Sequence, residues 1–305
     1  MKGCVTMIVI IYCSLVACQT APVSEVVRAG VQAPASAQAI ATAPALAQAP
    51  ALAPAPAPTQ APASATIDTS IEALLDRMEV QGNTMKDFSA QATVEKFEAL
   101  TDEREVRRGR VVVLGPSGAA REIAIAFDEF IDSSGRGSTD TRQFIYRGGW
   151  LLEFDPSRKQ LIRRQLAAEG ESFDPLRVGD GPFPIPLGQP KKDIVREFIV
   201  TAGTMPDAPF FRSLKNASAQ SDSLVILRLV PRAGTSMARE TSAMTILFDR
   251  LSLVPQGLEI EAVNGDRTRV ILRNTKLNAG LDDVTRAMLV APSTDGWKID
   301  SRPLK

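Results

Sequence analysis

Phe144-Ile145-Tyr146-Arg147-Gly148-Gly149-Trp150-Leu151-Leu152-Glu153-Phe154-Asp155-Pro156 is the stretch whose reading decides the fold. Arg142 to Tyr146 and Trp150 to Phe154 are strands flanking Arg147-Gly148-Gly149, which reads as a hairpin turn. Asp155-Pro156-Ser157 turns the chain again, and Lys159 to Leu166 resumes as a strand. Consecutive strands joined by such tight turns pair antiparallel, because a parallel pair needs a long crossover.

Working outward, the same period of two recurs on both sides. Upstream, Phe88, Ala90, Ala92 and Val94 alternate with Ser89, Gln91, Thr93 and Glu95. Arg108 to Leu114 and Arg121 to Phe127 follow, the second expected to turn Ile123, Ile125 and Phe127 inward. Gly115-Pro116-Ser117-Gly118 separates them. Downstream, strands are expected at Glu197–Thr201, Leu224–Val230, Met244–Phe248, Leu258–Val263 and Arg267–Arg273, the last two joined by Asn264-Gly265. A short helical turn is expected at Lys191–Arg196, and Met205–Ala219 reads as a polar loop. The Pro- and Gly-rich residues 170–190, including Gly179-Asp180-Gly181-Pro182, are irregular. Leu281 to Leu289 fits helix or strand. Before all of these, Ile71, Leu74, Leu75 and Met78 fall at i, i+3, i+4 and i+7. They predict a helix over Ser70–Val80, capped by Asp68 or Thr69 with Glu72 in its first turn.

The fold class is therefore mainly β, within α+β. An incomplete antiparallel β-barrel, or strongly curved sheet, of about 10–11 strands is closed by an N-terminal helix. The expected interior takes Leu74 and Met78 from the helix. From the sheet it takes Val111, Val113, Ile123, Ile125, Phe127, Tyr146, Trp150, Leu152 and Phe154. For any one of them core packing competes with ligand contact; only their sum on one concave face suggests a site for an apolar ligand.

The amino terminus carries a different signal. Lys2 precedes an apolar run from Val5 to Val16, too short to span a bilayer and suited to the h-region of an export signal. Leu15-Val16-Ala17-Cys18 resembles a bacterial lipobox, which implies cleavage between Ala17 and Cys18 and lipid attachment at Cys18. An ordinary secretory signal is the competing reading. The expected organisation is a signal peptide at 1–17, a lipidated Ala/Pro-rich linker at 18–66, and one folded domain at 67–305. The linker composition cannot bury a core and favours polyproline II, a spacer on the order of 100 Å when extended.

Composition removes many activities. The chain of 305 residues has 35 Lys+Arg, 35 Asp+Glu and no histidine. Balanced charge gives no field to recruit nucleic acid, and the missing imidazole removes the usual nucleophile–base dyads and the commonest metal ligand. Cys4, Cys13 and Cys18 are the three cysteines, so the folded domain holds neither thiol nor disulfide. No catalytic residue, metal site or cofactor is expected. The pairs Asp128-Glu129 and Asp282-Asp283 are too close in sequence to share a site on a strand. Arg107-Arg108-Gly109-Arg110 and Arg163-Arg164 read as charged strand faces, with anionic head groups as the alternative.

The order of elements resembles the LolA/LolB superfamily. The resemblance rests on the 71–80 helix, Phe88, the Gly109 strand, Arg121-Glu122-Ile123, the Phe144–Pro156 hairpin with Lys159-Gln160-Leu161, Asn274-Thr275-Lys276-Leu277-Asn278, and Gly296-Trp297-Lys298. Arg147 stands where the family's hairpin turn usually carries an acid. The resemblance implies an apolar cavity that shields acyl chains or lipoproteins, in a non-enzymatic monomer held to the membrane through Cys18 and facing the periplasm. Gln19, where inner-membrane retention uses Asp, points by analogy to the outer membrane. RseB-like interaction or sensory modules share the fold and give the rival function; a structural envelope lipoprotein with a self-filled barrel is a third.

Overall fold

A computed structural model describes residues 70–304, except 117, 119, 169, 170, 172, 179–182, 184–186 and 222 and the side chains of 217–221. Ala17, Cys18, the linker, the two cap candidates Asp68 and Thr69, and Gly179-Asp180-Gly181-Pro182 lie outside the described residues. The first element is α1 (Ile71–Thr84), its cap Ser70 accepting a hydrogen bond from the Ala73 amide and Glu72 lying in its first turn. Leu74, Leu75 and Met78 form its buried stripe.

Seven strands then run as a meander: β1 (Asp87–Glu98), β2 (Glu103–Leu114), β3 (Glu122–Ile131), the two-residue β4 (Gly137–Ser138), β5 (Arg142–Arg147), β6 (Trp150–Asp155) and β7 (Gln160–Gln165). The β5–β6 hairpin turns on two residues, one fewer than expected because Arg147 pairs with Trp150, with Gly148 at φ 56 and Gly149 at φ 79, a backbone that side-chain-bearing residues rarely adopt. The described residues between 166 and 190, called the strap below, lie outside helix and strand and precede α2 (Lys191–Glu197) and β8 (Phe198–Ala202). Next comes α3 (Arg212–Ser221), where a polar loop is expected from the sequence. Its sequence, Arg-Ser-Leu-Lys-Asn-Ala-Ser-Ala-Gln-Ser, offers Leu214 as the one large apolar residue, so no stripe betrays the helix. The second run is β9 (Leu224–Pro231), β10 (Thr241–Asp249), β11 (Pro255–Ala262) and β12 (Arg267–Leu277), followed by α4 (Asp283–Ala287) and β13 (Lys298–Arg302).

One thirteen-stranded sheet results, in the order β13-β7-β6-β5-β3-β2-β1-β12-β11-β10-β9-β8, with β4 beside β3. The path has two free ends, so the sheet is curved and not closed. The β1–β12 ladder, from Phe88↔Leu277 to Phe97↔Arg267, joins the two runs at the middle. Its irregularity between Ser89 and Gln91 lies opposite Asn274; Asn274 and Asn278 both have left-handed φ, which asparagine tolerates better than most residues. Pairing is antiparallel except at one end, where β13 runs parallel to β7 from Lys298↔Gln160 to Arg302↔Arg164. That corrects the all-antiparallel expectation. The returning C-terminal segment, not a hairpin, delivers β13, so nothing forces reversal.

Both faces of the sheet are buried. On the inner face one continuous cluster runs from β5 and β6 through β1 to β8 and β9 and includes α1. The outer face carries two smaller clusters, one under the 281–297 segment and one under α3 and the Pro209–Phe211 turn.

Candidate functional site

The site is the inner face and its cover. Leu74 and Met78 of α1, Val111 and Val113 of β2, Ile123, Ile125 and Phe127 of β3, and Tyr146 of β5 belong to a single cluster. Alternation places them there: each strand contributes one parity. None is more than 6 % exposed, and Val111, Val113 and Ile123 touch no space a water-sized sphere can enter. Leu176, Phe183 and Leu187 of the strap, with Ile194 of α2 and Met237, belong to the same cluster.

Trp150, Leu152 and Phe154 stand on the opposite face. Leu152 and Phe154 pack with Val112, Ala124, Ile145, Met288 and Leu289 on the outer side, and the Phe154 and Trp297 rings meet edge to face at 6.5 Å. Trp150, of the same parity, lies half-buried under the Arg163 guanidinium, 4.9 Å from the ring centre. The reason is register: Tyr146 pairs with Leu151 across the turn, so Leu151 continues its inner face. Trp-Leu-Leu-Glu-Phe is apolar at both parities because both faces are covered, and alternation alone cannot choose between them.

The cover is attached unevenly. On its solvent side α1 makes ion pairs from Glu72 and Asp76 to Lys191, at 2.6 and 2.8 Å. Arg77 donates to the Leu251 carbonyl at 2.8 Å, and Gln81 to that of Ser252. Exposed pairs of this kind contribute only about 0–1 kcal/mol each. Its other contact is steric. Gly82 of α1 lies so close to Gly188 of the strap that a Cβ on Gly82 would fall 2.1 Å from the Gly188 Cα.

The strap is pinned more firmly. Arg121, at the foot of β3 and wholly buried, donates from Nη1 to both Asp174 carboxylate oxygens at 3.0 Å and to the Leu187 carbonyl at 3.2 Å. Its Nε and Nη2 have no hydrogen-bond partner. Burial lowers the guanidinium pKa against the opposing pull of Asp174. The Tyr146 hydroxyl is raised by burial and by the Asp174 charge, and its ring lies 6.0 Å from Phe173. The sequence resemblance includes Arg121 but says nothing of this pin; an arginine at a strand's inward parity is the signal that could have revealed it.

Charge also reaches the inner face near β5–β7. Arg107 meets Asp140 at 2.5 Å, Arg142 meets Asp155 at 3.4 Å, and Arg164 meets Glu153 at 3.6 Å, all with little exposure. Burial raises the Glu153 carboxyl above its usual value, opposed by Arg164 and Arg142. Arg107 and Arg164 are thus internal pairs, and Arg108 pairs with Glu129 at 3.1 Å. Arg147, the departure at the hairpin turn, reaches Glu122 at 2.6 Å and the Leu289 carbonyl at 3.3 Å, tying the turn to the outer-face segment. Asp282 caps α4, accepting from the Thr285 amide at 2.7 Å, which together with the Thr285 side chain lowers its pKa. Among the described residues no group of His, Cys, Asp and Glu could hold a metal ion, and no helix is long and apolar enough to cross a membrane.

Neither protein-family models nor curated protein sequences give a match to the chain. Solved structures do resemble it. An uncharacterized conserved protein from Thermus thermophilus aligns at a TM-score of 0.40 and 12 % identity, covering 76 % of this chain and 98 % of that one. A LolA superfamily protein from Nitrosomonas europaea aligns at 0.31 and 13 %, covering 72 % and 98 %. MucB of Pseudomonas aeruginosa, solved in complex with MucA, aligns at 0.33 and 11 %, covering 72 % and 60 %. The structures similar to this chain thus include a LolA superfamily member and MucB.

Proposed function

We propose that this chain is a lipid-anchored, non-enzymatic protein of the cell envelope whose inner face takes up acyl chains of lipids or lipoproteins when its cover lifts. The observation that supports the reading is the continuous apolar cluster between sheet and α1, on which the helix packs through Leu74, Leu75 and Met78. Burying about twelve methylenes there contributes roughly 10 kcal/mol, which acts against the cost of separating α1 from the sheet. Anchorage at Cys18 and the Ala/Pro linker would hold a monomeric domain near the outer membrane on its periplasmic side, free to reach a donor or acceptor. The inner face is filled by its own side chains, which equally suits a structural envelope lipoprotein.

Displacement of a fluorescent fatty acid separates the two readings. Saturable binding at micromolar concentration supports uptake, and no binding selects the structural role. Cys18→Ser should move the protein from the membrane fraction to the soluble fraction with its thermal unfolding unchanged. A variant that still sediments with membranes removes the anchor from the proposal.

A further inference from the structure

The sheet has two free ends, β13 and β8, and their sequences treat the open edge differently. β13, Lys-Ile-Asp-Ser-Arg, carries a charge at three of its five positions and is followed by Pro303, devices that keep an edge from pairing. β8, Phe-Ile-Val-Thr-Ala, has neither: from Phe198 to Met205 there is no charged residue and no proline. Register fixes which of its backbone groups are free. The Arg232 amide donates to the Glu197 carbonyl at 2.8 Å, and the Gly203 amide to that of Ile226 at 2.9 Å. With Ile199 opposite Val230 and Thr201 opposite Arg228, alternation turns the amides and carbonyls of Ile199 and Thr201 towards β9. Those of Val200 and Ala202 point away from the sheet, and among the described residues nothing bonds them.

The side chains beside this edge are also uncovered. Ile199 is 49 % exposed and Val230, its cross-strand neighbour, 37 %. Scattered apolar residues mean little, but these two adjoin donors and acceptors spaced along a strand. Only another extended backbone presents the matching series, and an edge without charge favours a segment without charge. A second copy of this chain is the poorer occupant. A ladder of five residues a side buries a few hundred Å², well below the roughly 1,200 Å² of a stable protein pair. A short flexible segment needs no more than the edge offers.

We propose that β8 is a docking edge for an extended, uncharged segment of a partner protein, which joins the sheet as a further strand. The segment's amides and carbonyls pair with those of Val200 and Ala202, and one of its β-branched or other apolar side chains covers Ile199 and Val230. The site is the rim of the sheet, and its occupancy does not depend on acyl uptake.

The probe is a fluorescein-labelled Thr-Val-Thr-Ile-Thr-Val peptide, every second amide N-methylated so that it cannot stack on itself. The same peptide with all amides N-methylated is the control. The full chain should bind the first with micromolar affinity and the second at least about tenfold more weakly. On binding, amide exchange should slow at Val200 and Ala202 and stay as it is at Ile199 and Thr201, which β9 already holds. Ala202→Pro removes only an outward amide, so Tm should hold within about 2 °C while peptide affinity falls about tenfold. Ile199→Lys leaves the backbone intact and should weaken binding about fivefold. Fatty-acid displacement should be the same in both variants, so failure at the edge leaves acyl uptake standing. Absence of peptide binding, equal affinity for the two peptides, or an unchanged affinity in Ala202→Pro overturns the assignment. A dimer in sedimentation that Ala202→Pro abolishes gives the edge to a second copy and overturns it as well.

Discussion

The inner and outer faces of this sheet are both buried, yet they are built differently. Inside, one cluster crosses eight neighbouring strands, from Phe144 on β5 to Leu229 on β9, under a helix and a strap. Outside, two separate clusters flank a ladder of charges in which Arg269 bridges Glu95 and Glu259 at 2.5 and 2.6 Å and Arg267 and Arg228 reach Glu261. The outer face is divided, and its apolar portions are covered by α3 and the C-terminal segment. The inner face is continuous, and its cover depends on apolar contact, one glycine pair and one buried guanidinium. On the proposed function, the second arrangement is the one that would exchange its cover for an extended apolar ligand.

The contrast can be broken at its strongest points first. Arg121→Met should cost about 3–5 kcal/mol in denaturant unfolding, because Asp174 is left without its partner beneath the strap. The double variant Arg121→Met, Asp174→Leu should recover much of that loss; no recovery would mean the pair is not what pins the strap. Phe127→Ala inside and Phe154→Ala outside should each cost about 3–5 kcal/mol. Acyl-probe affinity should change only in Phe127→Ala, and an equal effect from Phe154→Ala would erase the distinction between the faces.

A smaller effect concerns Glu153. Its folded-state pKa lies above the unfolded value of 4.5, so the folded state holds the proton more tightly. That contribution to stability is present at low pH and is lost as pH rises from 4.5 through the folded pKa. Glu153→Gln should flatten this fall and raise Tm at neutral pH, as measured by thermal scans at a series of pH values. The smallest effect is at the lid: Ser70→Ala should cost about 1 kcal/mol by removing the cap of α1. It should also speed amide exchange in α1 before any other element.

Legibility in the sequence followed the number of covered faces. The stripe Ile71, Leu74, Leu75, Met78 identified α1, and Gly148-Gly149 and Asn264-Gly265 identified hairpins, because each signal is local. Eight of the eleven lining candidates share one cluster, since β2 and β3 place their larger side chains at one parity. Trp150, Leu152 and Phe154, expected on the inner face, lie on the outer one, because β6 is apolar on both sides and alternation favours neither. The α3 helix was illegible for the opposite reason: Leu214 alone gives no periodicity. The parallel placement of β13 and the Arg121–Asp174 pin depend on contacts between distant segments, which no local pattern encodes.

The most direct measurement compares native and denaturing mass spectra of the full chain taken gently from its own membranes. The denaturing spectrum reports covalent lipid at Cys18; mass present only in the native spectrum is ligand. Uptake by the inner face requires a native excess equal to a phospholipid, fatty acid or acylated client. It should vanish when a competing fatty acid is added. Identical masses in the two spectra, together with no fatty-acid binding in solution, would contradict uptake and leave a structural role for a sheet packed on its own side chains.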